Sequence, residues 1–258
     1  MLAMAGTSVA LLSTQADVLR ISEKIAVDGR LEEGVWAKAK WEGKFVIPHM
    51  RKWPDGRRTP TYATEFAVLA DAGNVYVGIR CHHGEMPYVK GHKKTMMWGA
   101  EGVEIYFCPD GNPFSYYQFL VTYQGDECAA FWDECGAIRP DPYGPKWEHA
   151  IADTADGYSV ELRFPLSAFY MTRNAKWSDK WLMNVGRAAR GDGLRTPGDP
   201  CEYSGWCDVD EQFGESSRFK SISGFPLRRL AEDVLSVLRF PCSRAFGMAS
   251  RSVTSSFD

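Results

Sequence analysis

From Glu101 to Phe107 the apolar residues Val103, Ile105 and Phe107 alternate with Glu104 and Tyr106, the period of two expected of a strand with one buried face. The same alternation runs through Ala63 to Ala70, where Phe66 and Val68 share a side, and through Val75 to His82. It returns in Tyr116 to Tyr123, with Phe119, Val121 and Tyr123 together, and in Tyr158 to Phe164, with Val160, Leu162 and Phe164 inward and Glu161 and Arg163 outward. Trp181 to Arg190 is the last clear strand, Ala129 to Trp132 a short one, and Lys146 to Ala152 the first arm of a hairpin turning at Asp156-Gly157. Turn residues sit between these runs, Asp71-Ala72-Gly73-Asn74 and Pro109-Asp110-Gly111-Asn112 among them. Upstream, Ile25 to Val27 reads as a short strand that turns at Asp28-Gly29 into one helical turn with Trp36 directed inward. Many short strands, no GxGxxG and no βαβ rhythm predict an all-β, antiparallel, jelly-roll-like β-sandwich with short helical turns.

Outside that pattern, Pro48 to Pro60 is basic and rich in Pro and Gly, an exposed loop. Leu227, Leu230, Val234, Leu235 and Leu238 have helical spacing and predict a C-terminal helix before a Ser- and Arg-rich disordered tail. The expected organisation is therefore a signal peptide or loose tail over 1–20, a sandwich over 21–225, and a helix with tail over 226–258. A chain of 258 residues can bury such a core without metal or disulfide staples.

The formal charge of −3, with both signs mixed along the chain, excludes nucleic acid as the expected partner. Met1 to Ala16 is apolar and small but lacks the basic residues of a signal peptide's first segment; the expectation is a secreted, periplasmic or cell-surface protein. No other stretch approaches the length of a transmembrane span. Of the seven cysteines, Cys201 and Cys207 flank one loop and are candidates for a bridge, the alternative being buried thiols. His82 and His83, with Glu85 close by, read as solvated loop histidines rather than a metal site.

Trp53, Trp98, Trp132 and Trp206 lie beside Gly, Pro or charged residues instead of inside apolar runs, as caps of the sandwich ends or as stacking surfaces. Arg80, Glu104, Tyr106, Gln118, Thr122, Glu161, Arg163 and Asn184 fall on the polar sides of their strands, as a solvated sheet surface or as a hydrogen-bonding floor for a polyol. Sugar rings pack C–H patches on aromatic faces while their hydroxyls seek carboxylate, amide and guanidinium partners, so a pair of loop indoles at the rim favours the floor.

The order Asp28-Gly29-x-Leu-x-Glu-x-x-Trp36, Val75-Tyr76-Val77-Gly78-Ile79, Trp98-x-x-Glu101-x-Val-Glu104-Ile-Tyr-Phe, Tyr158-x-Val-Glu161-x-x-Phe-Pro165-Leu, Asn184-Val-Gly-Arg187, and Trp206 ahead of Phe213-Gly214 resembles the carbohydrate-binding module family 9-like domains across Ile21 to Phe225. The resemblance implies non-catalytic binding of an oligosaccharide or polysaccharide, with Trp98 and Trp206 clamping a sugar. Glu104 would bind hydroxyls, and Glu101, Gln118 and Arg187 are further candidates. It implies no required cofactor. It also implies a possible structural calcium, for which Asp71, Asp110, Asp208 and Asp210 offer loop carboxylates but no calcium motif. Leu120 is apolar where a polar strand residue would deepen the site. Two other classes stand beside this one: a haem-binding sandwich using Met96, Met97, His82 or His92, and a glycan-processing enzyme using Glu101 and Glu104.

Overall fold

The structure, a computed structural model, describes residues 16–91, 97–133, 143–171, 177–194 and 201–225. The expected C-terminal helix and nearly all of the apolar opening lie outside these residues, as do His92 and Met96.

The strands in chain order are β1 (Ala16–Asp17), β2 (Leu19–Arg20), β3 (Thr64–Ala70), β4 (Asn74–His82), β5 (Gly102–Cys108), β6 (Tyr116–Thr122), β7 (Glu127–Trp132), β8 (Glu148–Thr154), β9 (Gly157–Pro165), β10 (Lys180–Ala189), β11 (Glu202–Gly205) and β12 (Lys220–Ser223). They form two sheets. One runs β1-β12-β10-β5-β6-β7 with β11 also on β10, and the other runs β2-β3-β4-β9-β8. Period-two alternation sends Val103, Ile105, Phe107, Phe119, Val121, Met183 and Val185 from the first sheet toward Phe66, Val68, Val75, Val77, Ile79, Val160, Leu162 and Phe164 of the second. Phe107 lies at the centre, edge-on to Phe164 at 5.4 Å, Phe169 at 5.5 Å and Trp181 at 5.9 Å. The all-β sandwich expected from the sequence is the fold observed.

Three details depart from expectation. β1 and β2 pair parallel to β12 and β3, so the sheets begin at Ala16, inside the stretch read as a tail. β11 arises within a segment read as loop, pairing Glu202 to Gly205 with Ala189 to Gly186. Ile25 to Val27 form no strand; the chain there lies over the outer face of the second sheet, where Ile25, Leu31, Val35 and Trp36 cover Ala67, Leu69 and Tyr76.

That covering segment is fastened by Glu161, which reads as solvent-facing from alternation alone but is fully buried. Its carboxylate accepts hydrogen bonds from Trp36 Nε1 at 3.0 Å, from the Asp28 N–H at 3.0 Å and from the Gly29 N–H at 3.1 Å. Gly29 has φ of +84°, and a Cβ there would stand 2.7 Å from the Ile151 backbone, so only glycine brings the turn this close to β8. The Asp-Gly and Trp36 pieces of the sequence motif are therefore an anchor for the sandwich. Glu161→Ala should lower unfolding free energy by about 2–4 kcal/mol in urea denaturation, since it strands three donors, two of them buried. A loss under about 1 kcal/mol would show that the segment is held by apolar packing alone.

Candidate functional site

The free edge of β10 is shared: Lys180–Met183 pair with β12 and Gly186–Ala189 with β11. Between these two pairings the chain from Trp206 to Phe219 leaves the sheet and arches over its outer face. Asn184, fully buried, holds the arch by donating from Nδ2 to the Phe213 carbonyl at 2.9 Å and accepting the Cys207 N–H at Oδ1, also 2.9 Å. Glu215 shapes the far side, its carboxylate accepting the successive N–H groups of Asp210, Glu211 and Gln212 at 2.9, 2.6 and 3.1 Å. Phe213 then lies flat against Gly186, where a Cβ would come within 2.3 Å of the ring.

These constraints leave a cleft of about 420 Å³ on the outer face of the larger sheet. Its floor comes from Glu104 and Tyr106 of β5 and Gln118 of β6, with Tyr106 directly opposite Gln118 in the ladder. At one end Tyr116 and Trp132 stack with ring centres 5.9 Å apart and planes 20° from parallel. Toward the other end stand Trp98, Tyr203 and Arg51, and the arch supplies Glu211 to Gly214. The Arg51 guanidinium covers the Tyr203 ring at 4.6 Å and its Nε donates to the Glu211 carbonyl at 3.0 Å. Tyr203 donates its hydroxyl to the Trp98 carbonyl at 2.9 Å, steadying the short 3-10 turn that presents the indole.

The floor is one hydrogen-bonded unit. Tyr106 donates its hydroxyl to Glu104 Oε2; Gln118 Nε2 donates to the same oxygen at 2.8 Å and to the Tyr106 hydroxyl at 3.1 Å. Trp132 Nε1 donates to Gln118 Oε1 at 2.6 Å, which fixes the amide's orientation. Burial pushes the Glu104 carboxyl above its ordinary range; the Tyr106 and Gln118 hydrogen bonds and the nearby charge of Arg51 offset only part of that.

Of the residues singled out in the sequence, Trp98, Glu104, Tyr106, Gln118 and Trp132 meet in this cleft, with Trp98 46% exposed. Trp206, Glu101 and Arg187 do not line it. Trp206 follows the Gly205–Gly186 pair and donates its N–H to the Val185 carbonyl, so its ring takes the inward side. It is 4% exposed and meets Phe66 edge-on at 5.1 Å. The expected meeting of the two indoles therefore does not occur.

Glu101 and Arg187 sit between the sheets because Arg187 is opposite the inward Val103, whereas Glu104 is opposite Gly186. Arg187 reaches Glu101 Oε1 at 3.0 and 3.2 Å and donates to the Ala63 and His82 carbonyls and the Thr64 hydroxyl. Tyr158 and the Arg190 N–H reach the Glu101 carboxylate at 2.7 Å each, and His83 Nε2 lies 3.4 Å from it. Burial alone would raise the Glu101 carboxyl, but Arg187 and its hydrogen bonds hold it below the usual value. The expected polar face is divided as well, since Arg80, Glu161 and Arg163 belong to the smaller sheet.

Reading the sequence missed Arg51, Tyr116, Tyr203 and Phe213 as neighbours. Tyr116 and Trp132 share the even-numbered face of Gln118 and were legible from it; Arg51 lies in a loop with no periodic signal. Of the two readings of Cys201 and Cys207, the buried thiols are the ones observed: both are free and buried, one against the Gly99 carbonyl at 3.1 Å and the other against the Met183 carbonyl at 3.3 Å. His83 is buried rather than solvated, its Nδ1 accepting the Glu85 N–H and its Nε2 meeting the Arg190 carbonyl at 2.7 Å. Among the described residues no group of three or more metal-ligating side chains converges. The loop aspartates are occupied elsewhere: Asp71 with Gly73, Asn74 and Tyr76, Asp208 with Arg58, and Asp210 with Arg218.

A family model described as carbohydrate family 9 binding domain-like matches residues 27–198, two thirds of the chain, spanning the Glu161 anchor and most of the cleft floor. The chain belongs to this family. A family 9 carbohydrate-binding module from Caldicellulosiruptor kristjanssonii, solved in complex with cellotriose, shares the fold at 13% identity and a TM-score of 0.56, covering 81% of this chain and 93% of that one. A family 9 module from the same organism, solved in complex with glucose, gives 14% identity and a TM-score of 0.53, covering 80% and 93%. A Bacteroides uniformis protein aligns at 13% identity and a TM-score of 0.57, covering 81% and 97%. No curated protein is significantly similar to the chain.

Two outcomes follow for this family member. The Glu101 carboxyl has a folded-state pKa below its unfolded one, so its stabilisation is complete above about pH 4.5 and is lost as pH falls through the lowered folded value. Glu101→Gln should flatten the acid limb of unfolding free energy against pH, and an unchanged limb would contradict the assignment. Gly186→Ala should lift Phe213 off the sheet and close the cleft, seen as altered near-ultraviolet circular dichroism with the far-ultraviolet strand signal retained. An unaltered near-ultraviolet spectrum would mean that Phe213 does not rest on Gly186.

Proposed function

We propose that this chain is a non-catalytic saccharide-binding domain whose oligosaccharide or polysaccharide ligand lies in the cleft on the outer face of the larger sheet. The observation that carries the reading is the pairing of a buried, internally bonded polar floor, Glu104-Tyr106-Gln118, with exposed aromatic surface at Trp98 and Trp132 around it. Flat rings would take the C–H faces of a sugar while the floor takes its hydroxyls. The Caldicellulosiruptor family 9 modules solved with cellotriose and with glucose support the ligand class.

A hydrolytic reading finds less support. Glu101 and Glu104 lie on opposite sides of one sheet, and Glu101 is spent on Arg187 and Tyr158, so the two carboxyls do not flank a common bond. The haem reading has His82 held by Asp156 at 2.7 Å, at the end of β4 in the smaller sheet and outside the cleft lining. Saccharide binding of this kind needs no cofactor, and we place it outside the cell, in keeping with the apolar opening of the sequence. Among the described residues no helix is long and apolar enough to cross a membrane.

Calorimetric titration against hits from a glycan panel tests the proposal. Trp98→Ala and Trp132→Ala should each raise Kd at least about ten-fold, or about 1.4 kcal/mol. Trp98→Ala should leave the melting temperature nearly unchanged, whereas Trp206→Ala should cost about 3–5 kcal/mol of stability. Undiminished binding by both cleft variants, or no glycan bound by the wild type, would contradict the proposal.

A further inference from the structure

The Glu104 carboxylate is 8% exposed, yet its two close hydrogen bonds come from neutral groups and both end on Oε2. The remaining valences of the floor are accounted for: Tyr106 both donates and accepts, the Gln118 amide hydrogens go to Glu104 and Tyr106, and the Gln118 oxygen takes Trp132 Nε1. Glu104 Oε1 takes no hydrogen bond and Glu104 forms no ion pair among the described residues. Arg51 is close enough to favour its charge but lies over Tyr203 and donates to the Glu211 carbonyl.

A buried carboxylate bonded only by neutral groups is costly, and a ligand that supplies a cation relieves that cost. The surroundings suit a cation. The cleft is lined by the rings of Trp98, Tyr106, Tyr116, Trp132, Tyr203 and Phe213, whose π faces attract positive charge, and its charged lining residues are Glu104 and Glu211 against Arg51 alone. Resting on the saccharide reading above, we infer that the cleft selects saccharides bearing a protonated amine, with the ammonium donating to Glu104 Oε1 between aromatic walls. An acetylated amine at the same carbon lacks the charge and adds bulk, so it is discriminated against on both counts.

Three β-1,4-linked trimers that differ only in the substituent on the second carbon test this: the glucosamine trimer, the N-acetylglucosamine trimer and cellotriose. They are titrated by calorimetry at about pH 6, low enough for an amine flanked by electron-withdrawing oxygens to hold its proton. The glucosamine trimer should bind at least about ten-fold more tightly than the other two. Glu104→Gln, which keeps the shape of the floor, should bring it to the level of cellotriose while cellotriose changes only a few-fold. Equal affinities, or a preference for cellotriose or the acetylated trimer, overturn the amine proposal and leave saccharide binding standing. Binding of none of the three alongside binding of other glycans in the panel also overturns it alone, and a wild type that binds no glycan overturns both readings.

Discussion

The pairing of β10 with β5 in a single register decides what this molecule can do. Setting Glu104 across from Gly186 and Arg187 across from Val103 sends one carboxylate to the outer face and one guanidinium between the sheets. A slip of one residue would exchange the two faces, exposing Val103 and Arg187 and burying Glu104 among the core phenylalanines. The cleft exists because that register also places a glycine where Phe213 must rest and Asn184 where the arch must be held.

Glu101 and Glu104, three residues apart at the start of β5, are treated in opposite ways. Glu101 loses its water completely and is repaid by a guanidinium, a phenol and a backbone N–H, an arrangement that ties β10 to the ends of β3 and β4 through Arg187. Glu104 is also buried but is met only by a phenol and an amide, so its carboxyl rests above its ordinary range while that of Glu101 rests below. A fully compensated charge belongs to the framework; one left partly compensated beside open volume is free to interact with something else. Glu161 is a third case, a carboxylate on an outer face that becomes structural because another part of the chain folds over it.

How much of this was legible in the sequence follows from the same geometry. The long strands and the sandwich were legible because their alternation is set by burial on one face. The placement of Glu104 and Gln118 followed from the same parity, and the parity of Arg187, odd like that of Met183 and Val185 in its own strand, already argued against the outer face. Trp206 was misread because its loop composition concealed that it continues the pairing of β11. Arg51 and Tyr203 were out of reach, since a loop and an unrecognised strand have no period to place them. The edge strands β1 and β2, two residues each, are too short for alternation to register. The outward alternation of Glu161 was correctly seen, but that Trp36 would cover it depends on a contact across 125 residues.

The most direct test of the whole account is to watch the indole N–H signals of the ¹⁵N-labelled protein while cellotriose or the glucosamine trimer is added. Binding in the cleft predicts that the Trp98 and Trp132 signals shift together along one saturation curve while those of Trp36, Trp181 and Trp206 hold still. Movement of the Trp36 or Trp206 signal with Trp98 and Trp132 unmoved would place the ligand elsewhere on the molecule and contradict the account.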